Sequence, residues 1–464
     1  MANRGTCVRR RLWAHLFPRL ALLAVLACHP LTQMCRGQTS VEGLTPQEEF
    51  VLEQVIEGKC VVFSSKAPKV EDIQQDLCRN RVVWAKGRQA SLRSEFIEKL
   101  LLGKFKRTKL SRFVMIDGAE FRGPLSVRNA DISMEVRLTN SQFDDDLDFS
   151  TSHFRAPFSL NGSKFAKSHL NFNSMQISGG LFLNGIEVPG TAEFYHLDVK
   201  GDVFIENARF TNSSATVEFG EADIQGDMFV ENSIFAGSFS MTQSNLKGLN
   251  LKRVKVGSKL DLGHAHIEKV FELGLVDKPD PIVLAGLIYG DLSPGVVDEN
   301  LKILIDEESK KNYYAQSYSQ LEDYYRIHGR PEEADNVFIQ SKRIERTTLS
   351  GSAKAFSYLL DGLVGYGRKP QKALAFSLIV VFLGTMVFWR RPNMELQDSK
   401  SCRAVYNPFW YSLDLLTPII DMDAAKVWMP RENWWFGRNY ARLHRILGWI
   451  LVPIGLAAIT GIIK

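Results

Sequence analysis

From about Ile116 to Ile267 the chain repeats pairs of apolar residues separated by one residue, mostly at steps of 11. One series is Leu125/Val127, Val136/Leu138, Leu147/Phe149, Phe158/Leu160, Leu170/Phe172 and Leu181/Leu183. It continues through Val203/Ile205, Val217/Phe219, Met228/Val230, Phe239/Met241, Leu249/Leu251 and Leu260/Leu262. Midway sits a second series whose first member is small and whose second is large: Ala130/Ile132, Ser141/Phe143, Ser152/Phe154, Ser163/Phe165, Ala208/Phe210, Ala222/Ile224, Ser244/Leu246 and Ala265/Ile267. Alternation by two is the signature of a strand. The Gly, Asn, Asp and Ser between the units are turn residues. An 11-residue period also describes a helical supercoil, but glycines such as Gly123, Gly162, Gly179, Gly180, Gly201 and Gly226 would each weaken a helix. A repeat of this kind predicts a solenoid.

At these residues the chain resembles the pentapeptide-repeat family. Ala119-Glu-Phe-Arg-Gly, Ala130-Asp-Ile-Ser-Met, Ala208-Arg-Phe and Ala222-Asp-Ile-Gln-Gly carry the likeness. It implies a right-handed quadrilateral β-helix with the small and the central large residue pointing inward. Many units here are six residues long, and the small position is often Leu or Val. Four faces of five or six residues give coils of about 22. The segment 113–275 would then hold about seven coils, roughly 30–35 Å long.

Hydrophobicity is otherwise concentrated at the two ends. Arg9, Arg10 and Arg11 precede the apolar run Leu20–Ala27, and Pro30 follows it. That pattern predicts a signal peptide over 1–37. Cleavage after Ala27 and after Gly37 both fit, and Cys28 after Val25-Leu26-Ala27 weakly resembles a bacterial lipoprotein box. Near the other end, Ala373–Trp389 and Ile446–Ile463 are apolar runs of 17 and 18 residues, near the short limit for a transmembrane helix. Trp389, Trp428, Trp434, Trp435 and Trp449 suit an interfacial belt. Between the runs, Asn407–Asp423 is amphipathic.

The chain is therefore read as mainly β, in five parts. These are a leader (1–37), an N-terminal cap (38–112), the β-helix (113–275), a helical hairpin linker (276–350) and a membrane domain (351–464). The last holds transmembrane helices at 373–389 and 446–463. In the cap, helices are expected over Thr45–Glu57 and Ser91–Leu102. In the linker, Tyr318, Leu321, Tyr325, Gly329, Ala334 and Phe338 have the spacing of one tetratricopeptide-like helix pair. This order, with Ser412-Leu413-Asp414, Pro418-Ile419-Ile420-Asp421, Trp428 and His444-x-x-Leu-Gly-Trp449, resembles a bacterial pentapeptide-repeat membrane family. Members of it are sometimes labelled membrane-associated oxidoreductases.

Candidate chemistry is sparse. Asp414, Asp421 and Asp423 are the candidate functional carboxylates of the membrane loop: they either face water at the membrane surface, the commoner outcome, or line an ion path. Val364-Gly365-Tyr366-Gly367 spells a potassium-filter core but precedes the first apolar run, and so reads as a juxtamembrane turn. His264 and His266 alternate onto one strand face without a third ligand. Asp144, Asp145, Asp146 and Asp148 read as an acidic corner. Cys60 and Cys78 are either a disulfide, if the body is exported, or two reduced buried thiols. No dinucleotide fingerprint, phosphate loop or nucleophile elbow occurs, so no cofactor is expected. The formal charge of +5 does not point to nucleic acid.

The expectation is a membrane-anchored, non-enzymatic scaffold, with a degenerate two-span channel or sensor as the alternative and an oxidoreductase on the family label alone. Its partners would be the lipid bilayer, a protein not identified by the sequence, and further copies of itself through the membrane helices. Its place would be the bacterial cell membrane, with the β-helix on the periplasmic side.

Overall fold

The computed structural model describes residues 43–460 in part. Residues 1–42, 64–77, 79–80, 86, 88–89, 106–111, 167–168, 294–296, 398–404, 418–419, 421 and 461–464 lie outside the description. The expected leader and Cys28 fall there, as do Cys402 and Asp421.

The repeat folds as a parallel β-solenoid of about nine turns. Four ladders run its length, and the strands in each recur about one coil apart. In the first, Leu125, Leu147, Leu170, Ala192, Val217, Phe239, Leu260 and Ile282 lie in register. The second carries Ile132, Phe154, Ile177, Val199, Ile224, Leu246, Ile267 and Tyr289. The other two run through Val136, Phe158 and Leu181 and through Phe121, Phe143 and Phe165. Every apolar residue named in the two sequence series is buried. The small positions make room for the stack, and their buried serines are satisfied. Ser141 Oγ donates to the Thr139 carbonyl at 2.8 Å, and Ser163 Oγ donates to that of Leu138 at 2.9 Å.

Two corners turn through the left-handed region in coil after coil. One uses Asn129, Thr151, Ser174, His196, Glu221, Gln243 and His264, and the other Asn140, Gly162, Gly185, Asn207, Asn232 and Arg253. Asn and Gly enter this region at least cost. Gly162 is also required by space, because a Cβ there would lie 2.2 Å from Asn140 Oδ1 of the preceding coil.

The solenoid exceeds its expected bounds at both ends. In the cap, strands Cys60–Val62 and Ser91–Arg93 already join the ladders, pairing with Phe113–Asp117 and Glu120–Arg122. Helix α1 (Pro46–Ile56) and helix α2 (Ser94–Leu101) cover that end. The helix expected from Ser91 thus begins three residues later. Glu48 of α1 is buried and takes a forked ion pair from Arg93, at 2.9 Å from Nε and 2.6 Å from Nη2. At the other end, strands Ile282–Val283 and Ile288–Leu292 add a turn within the segment read as linker. Their residues keep the coil spacing, with Ile282 paired to Leu260 and Tyr289 to Ile267.

Helix α3 (Val297–Lys311) closes the last turn with Leu301, Leu304 and Ile305 buried. Glu308 accepts from the backbone N–H of Leu284 and Ala285 at 2.9 and 3.1 Å. Helix α4 (Ala315–Ile327) adds Gln316 and Gln320, which donate to the Leu287 and Tyr289 carbonyls. These side chains stand where a next coil would, and so blunt an edge that could otherwise recruit another chain. Glu308→Ala should cost about 2 kcal/mol, because two backbone N–H groups, one buried and one partly buried, lose their acceptor. Glu308→Gln should cost little, since burial already raises the Glu308 carboxyl above its ordinary value, against the two N–H bonds that lower it. Thermal melts of the two variants check this; equal melting would mean that Glu308 does not cap the edge.

Helix α5 (Pro331–Thr348) pairs with α4 as the expected hairpin, with Tyr318, Leu321, Tyr325 and Ala334 buried. Helices α6 (Gly351–Val364), α7 (Pro370–Val387), α8 (Pro408–Leu416), α9 (Ala424–Val427) and α10 (Trp435–Ile459) follow. Among the described residues, α7 is the one helix long and apolar enough to cross a membrane. The second expected span falls on α10. Its apolar part starts only after Arg445 and contains Pro453; residues 446–459 give about 21 Å of helix, short of the roughly 30 Å hydrocarbon core.

Candidate functional site

The residues singled out from sequence do not converge. Cys60 and Cys78 form a disulfide with a Cα separation of 5.9 Å, buried with Phe113 and Met115 at the N-terminal end of the solenoid. Asp414 is engaged by backbone: it accepts from Met422 N–H at 3.0 Å and from Ala425 N–H at 2.6 Å, closing the loop onto α9. Asp423 is exposed beside Lys426 at 3.5 Å. Asp421 lies outside the described residues. His264 occupies a left-handed corner while His266 opens the next strand, so the two do not share a strand face. The acidic corner serves backbone too, with Asp146 accepting from His169 N–H and Asp148 from Ser150 N–H. No group of three or more His, Cys, Asp or Glu among the described residues could hold a metal ion.

The structure instead gathers its polar chemistry where the helical hairpin meets the membrane-type helix. Helix α6 ends at Gly365, and Gly365, Tyr366 and Gly367 all have positive φ. This turn leads the chain from α6 into α7. Asp361, on the buried face of α6, accepts from Arg343 Nε and Nη2 at 2.8 and 2.9 Å and from Arg346 Nη1 at 3.1 Å. The Arg343 guanidinium holds the Asp361 carboxyl below the usual carboxylate range, against burial that raises it, and Arg346 adds to the effect. Tyr366 Oη bonds Ser357 Oγ at 2.7 Å. Arg368 reaches back to the hairpin, to Glu322 at 2.8 Å and Asp335 at 3.7 Å, with its guanidinium over the Phe338 ring at 4.4 Å. Helices α4, α5 and α6 are thus tied to the turn that precedes α7, and Lys372 in the first turn of α7 donates to the Asp361 carbonyl at 3.1 Å. None of these pairs has a local sequence signal, because Arg343 and Asp361, or Glu322 and Arg368, are joined only by how the helices lie.

A second polar contact sits where α7, α8 and α10 cross. His444 Nε2 lies 3.0 Å from the Ser412 carbonyl and 3.3 Å from Ser412 Oγ, and that hydroxyl donates to the Val381 carbonyl at 2.9 Å. Both side chains are fully buried. Gly384 permits the crossing, since a Cβ there would stand 2.2 Å from Ser412 Oγ and 2.6 Å from His444 Cε1. Small residues with a polar clasp are how helices pack in hydrocarbon. The outer faces agree: most of the exposed large apolar side chains lie between Phe356 and Leu456, among them Leu374, Leu378, Phe382, Met386, Trp389 and Trp449. A patch of that extent marks a surface meant to be covered.

The arrangement joins the helices that close the solenoid to the turn that opens α7, through charges that are paired and rings that are packed. Compared with known protein families, with curated proteins and with solved structures, the chain matches none.

Proposed function

We propose that the chain is a membrane-anchored, non-enzymatic interaction protein that displays its β-solenoid outside the cytoplasm of a bacterial cell. The junction around Asp361 and Arg368 carries this reading, since it couples a long rigid display surface to the base of an apolar helix. The Cys60–Cys78 disulfide supports export, because such bonds persist in oxidising compartments. In the finer form of the proposal the solenoid is right-handed and of the pentapeptide-repeat kind. Residues 1–37 are then removed, residues 446–463 form a second span, and copies associate through the membrane helices. The partner is a protein that reads the solenoid faces.

This topology puts the 390–445 loop in the cytoplasm. It carries nine Lys and Arg against seven in 340–372, in the sense of the positive-inside rule. With Cys60 and Cys78 joined, Cys402 is the free thiol beyond the leader. A membrane-impermeant maleimide should leave Cys402 unlabelled in intact cells and label it after permeabilisation. Labelling of intact cells would overturn the topology.

A sensor or degenerate channel is the second reading, favoured by the Ser412–His444 clasp, which links the solenoid-bearing α7 to two further helices. Ion conductance of the protein in liposomes would promote it over the scaffold.

A further inference from the structure

We propose that an anionic lipid headgroup, held through its phosphate, occupies an open recess just beyond the end of α7. The inference rests on reading α7 as a membrane span. That helix ends at Val387, and exposed Trp389 and Arg390 follow. Strand Met394–Leu396 then pairs antiparallel with Trp428–Pro430, bringing Leu396 opposite Trp428. Together they frame a recess of about 440 Å³ lined by Arg391, Met394, Glu395, Leu396, Trp428 and Arg431.

The frame is set before any ligand arrives. Met394 and Trp428 are buried, and the Trp428 ring packs on Tyr406 at 5.1 Å. Gln397 N–H donates to the Val427 carbonyl at 2.9 Å, and Arg431 N–H donates to that of Asn393 at 3.0 Å. Arg438 Nε donates to the Pro430 carbonyl at 3.2 Å.

Two cations in this frame ask for an anion. Arg391 and Arg431 line the recess and make no ion pair among the described residues, whereas the one lining carboxylate, Glu395, is answered by Arg438 at 3.9 Å. The Arg391 guanidinium stands over the Trp428 ring at 5.9 Å. Trp428 Nε1 is buried with no acceptor among the described residues. Guanidinium forks match phosphate oxygens in pairs. Depth selects the source of the phosphate. Trp and Arg at the end of a span lie at the headgroup level, where anionic lipids attract juxtamembrane arginines. The apolar side chains of Met394 and Leu396 suit the glycerol end of a lipid better than a free ion.

The test uses the full chain in phosphatidylcholine micelles, titrated with short-chain phosphatidylglycerol and, separately, with inorganic phosphate. Phosphatidylglycerol should bind saturably. Its affinity should fall about fivefold in Arg391→Gln or Arg431→Gln and about 25-fold in the double variant; Lys164→Gln, on the solenoid, should change nothing. Unaltered affinity in the double variant would overturn the inference. Inorganic phosphate binding as tightly as the lipid would overturn the lipid assignment. Alkaline carbonate extraction of cell membranes separates the underlying reading: release of the protein would sink the span and the inference together, while retention with unaltered lipid affinity would sink the inference alone.

Discussion

Phe149→Asp should leave the solenoid unable to fold. Phe149 is 0% exposed. Its ring meets Phe158 at 5.1 Å, Phe154 at 5.5 Å and Phe172 at 5.9 Å, so it joins neighbouring coils as well as opposite walls. Removing a buried Phe costs about 3–5 kcal/mol by itself. The carboxylate must then be buried unpaired or take up a proton, which adds several more. Whole domains are stable by only about 5–15 kcal/mol, and in a solenoid each coil depends on contact with its neighbours. Phe149→Leu, by contrast, keeps an apolar side chain and should cost about 2 kcal/mol, mostly for the space left. Thermal unfolding followed by far-ultraviolet circular dichroism reads both. An unshifted transition in Phe149→Asp would mean that this position faces water.

That residue could be placed from sequence alone because period-two alternation fixes which side chains share a face. The same rule placed both apolar series in the core, from Leu125 to Leu262 and from Ala130 to Ile267. It failed where a coil lacks the full pattern. Val61 and Leu92 are ladder positions, but each belongs to a short apolar stretch without a repeat beside it. Beyond Leu275 the pairs Ile282/Leu284 and Leu287/Tyr289 keep the spacing and are buried, yet they lie past the last pairs that the two series traced, Leu260/Leu262 and Ala265/Ile267.

The candidate site was less legible, for a different reason. Sequence marks carboxylates but not what they will bond. Asp414 was marked by its place in an amphipathic loop, and the fold engages it with two backbone N–H groups 8 and 11 residues away. Asp361 was unmarked, because it sits in an ordinary amphipathic helix, and only the approach of α5 makes it the centre of the junction. Trp428 shows both cases at once. Its type suggested an interfacial belt, whereas its burial against Tyr406 depends on a two-stranded pairing that no local pattern announces.

Asp361→Asn should loosen that junction without unfolding the solenoid. The substitution keeps the shape and removes the charge, and the new amide N–H₂ faces guanidinium donors in place of an acceptor. Breaking a fully buried pair costs about 3–5 kcal/mol; here Arg343 is almost half exposed and can turn to water while Arg346 cannot, so about 2–4 kcal/mol is expected. Hydrogen exchange of Gly351–Val364 should then lose protection by about 30-fold or more, each 1.4 kcal/mol being tenfold, while the amides of the coils keep theirs. Acid should imitate the variant. The folded Asp361 carboxyl is held below its unfolded value, so its contribution is complete above the unfolded range and is lost as pH falls through the folded one. Protection of this helix, corrected for intrinsic exchange, should therefore decline in the wild type on acidification and stay nearly flat in Asp361→Asn. Equal protection of the two proteins at neutral pH would show that the ion pairs do not hold α6 to α5.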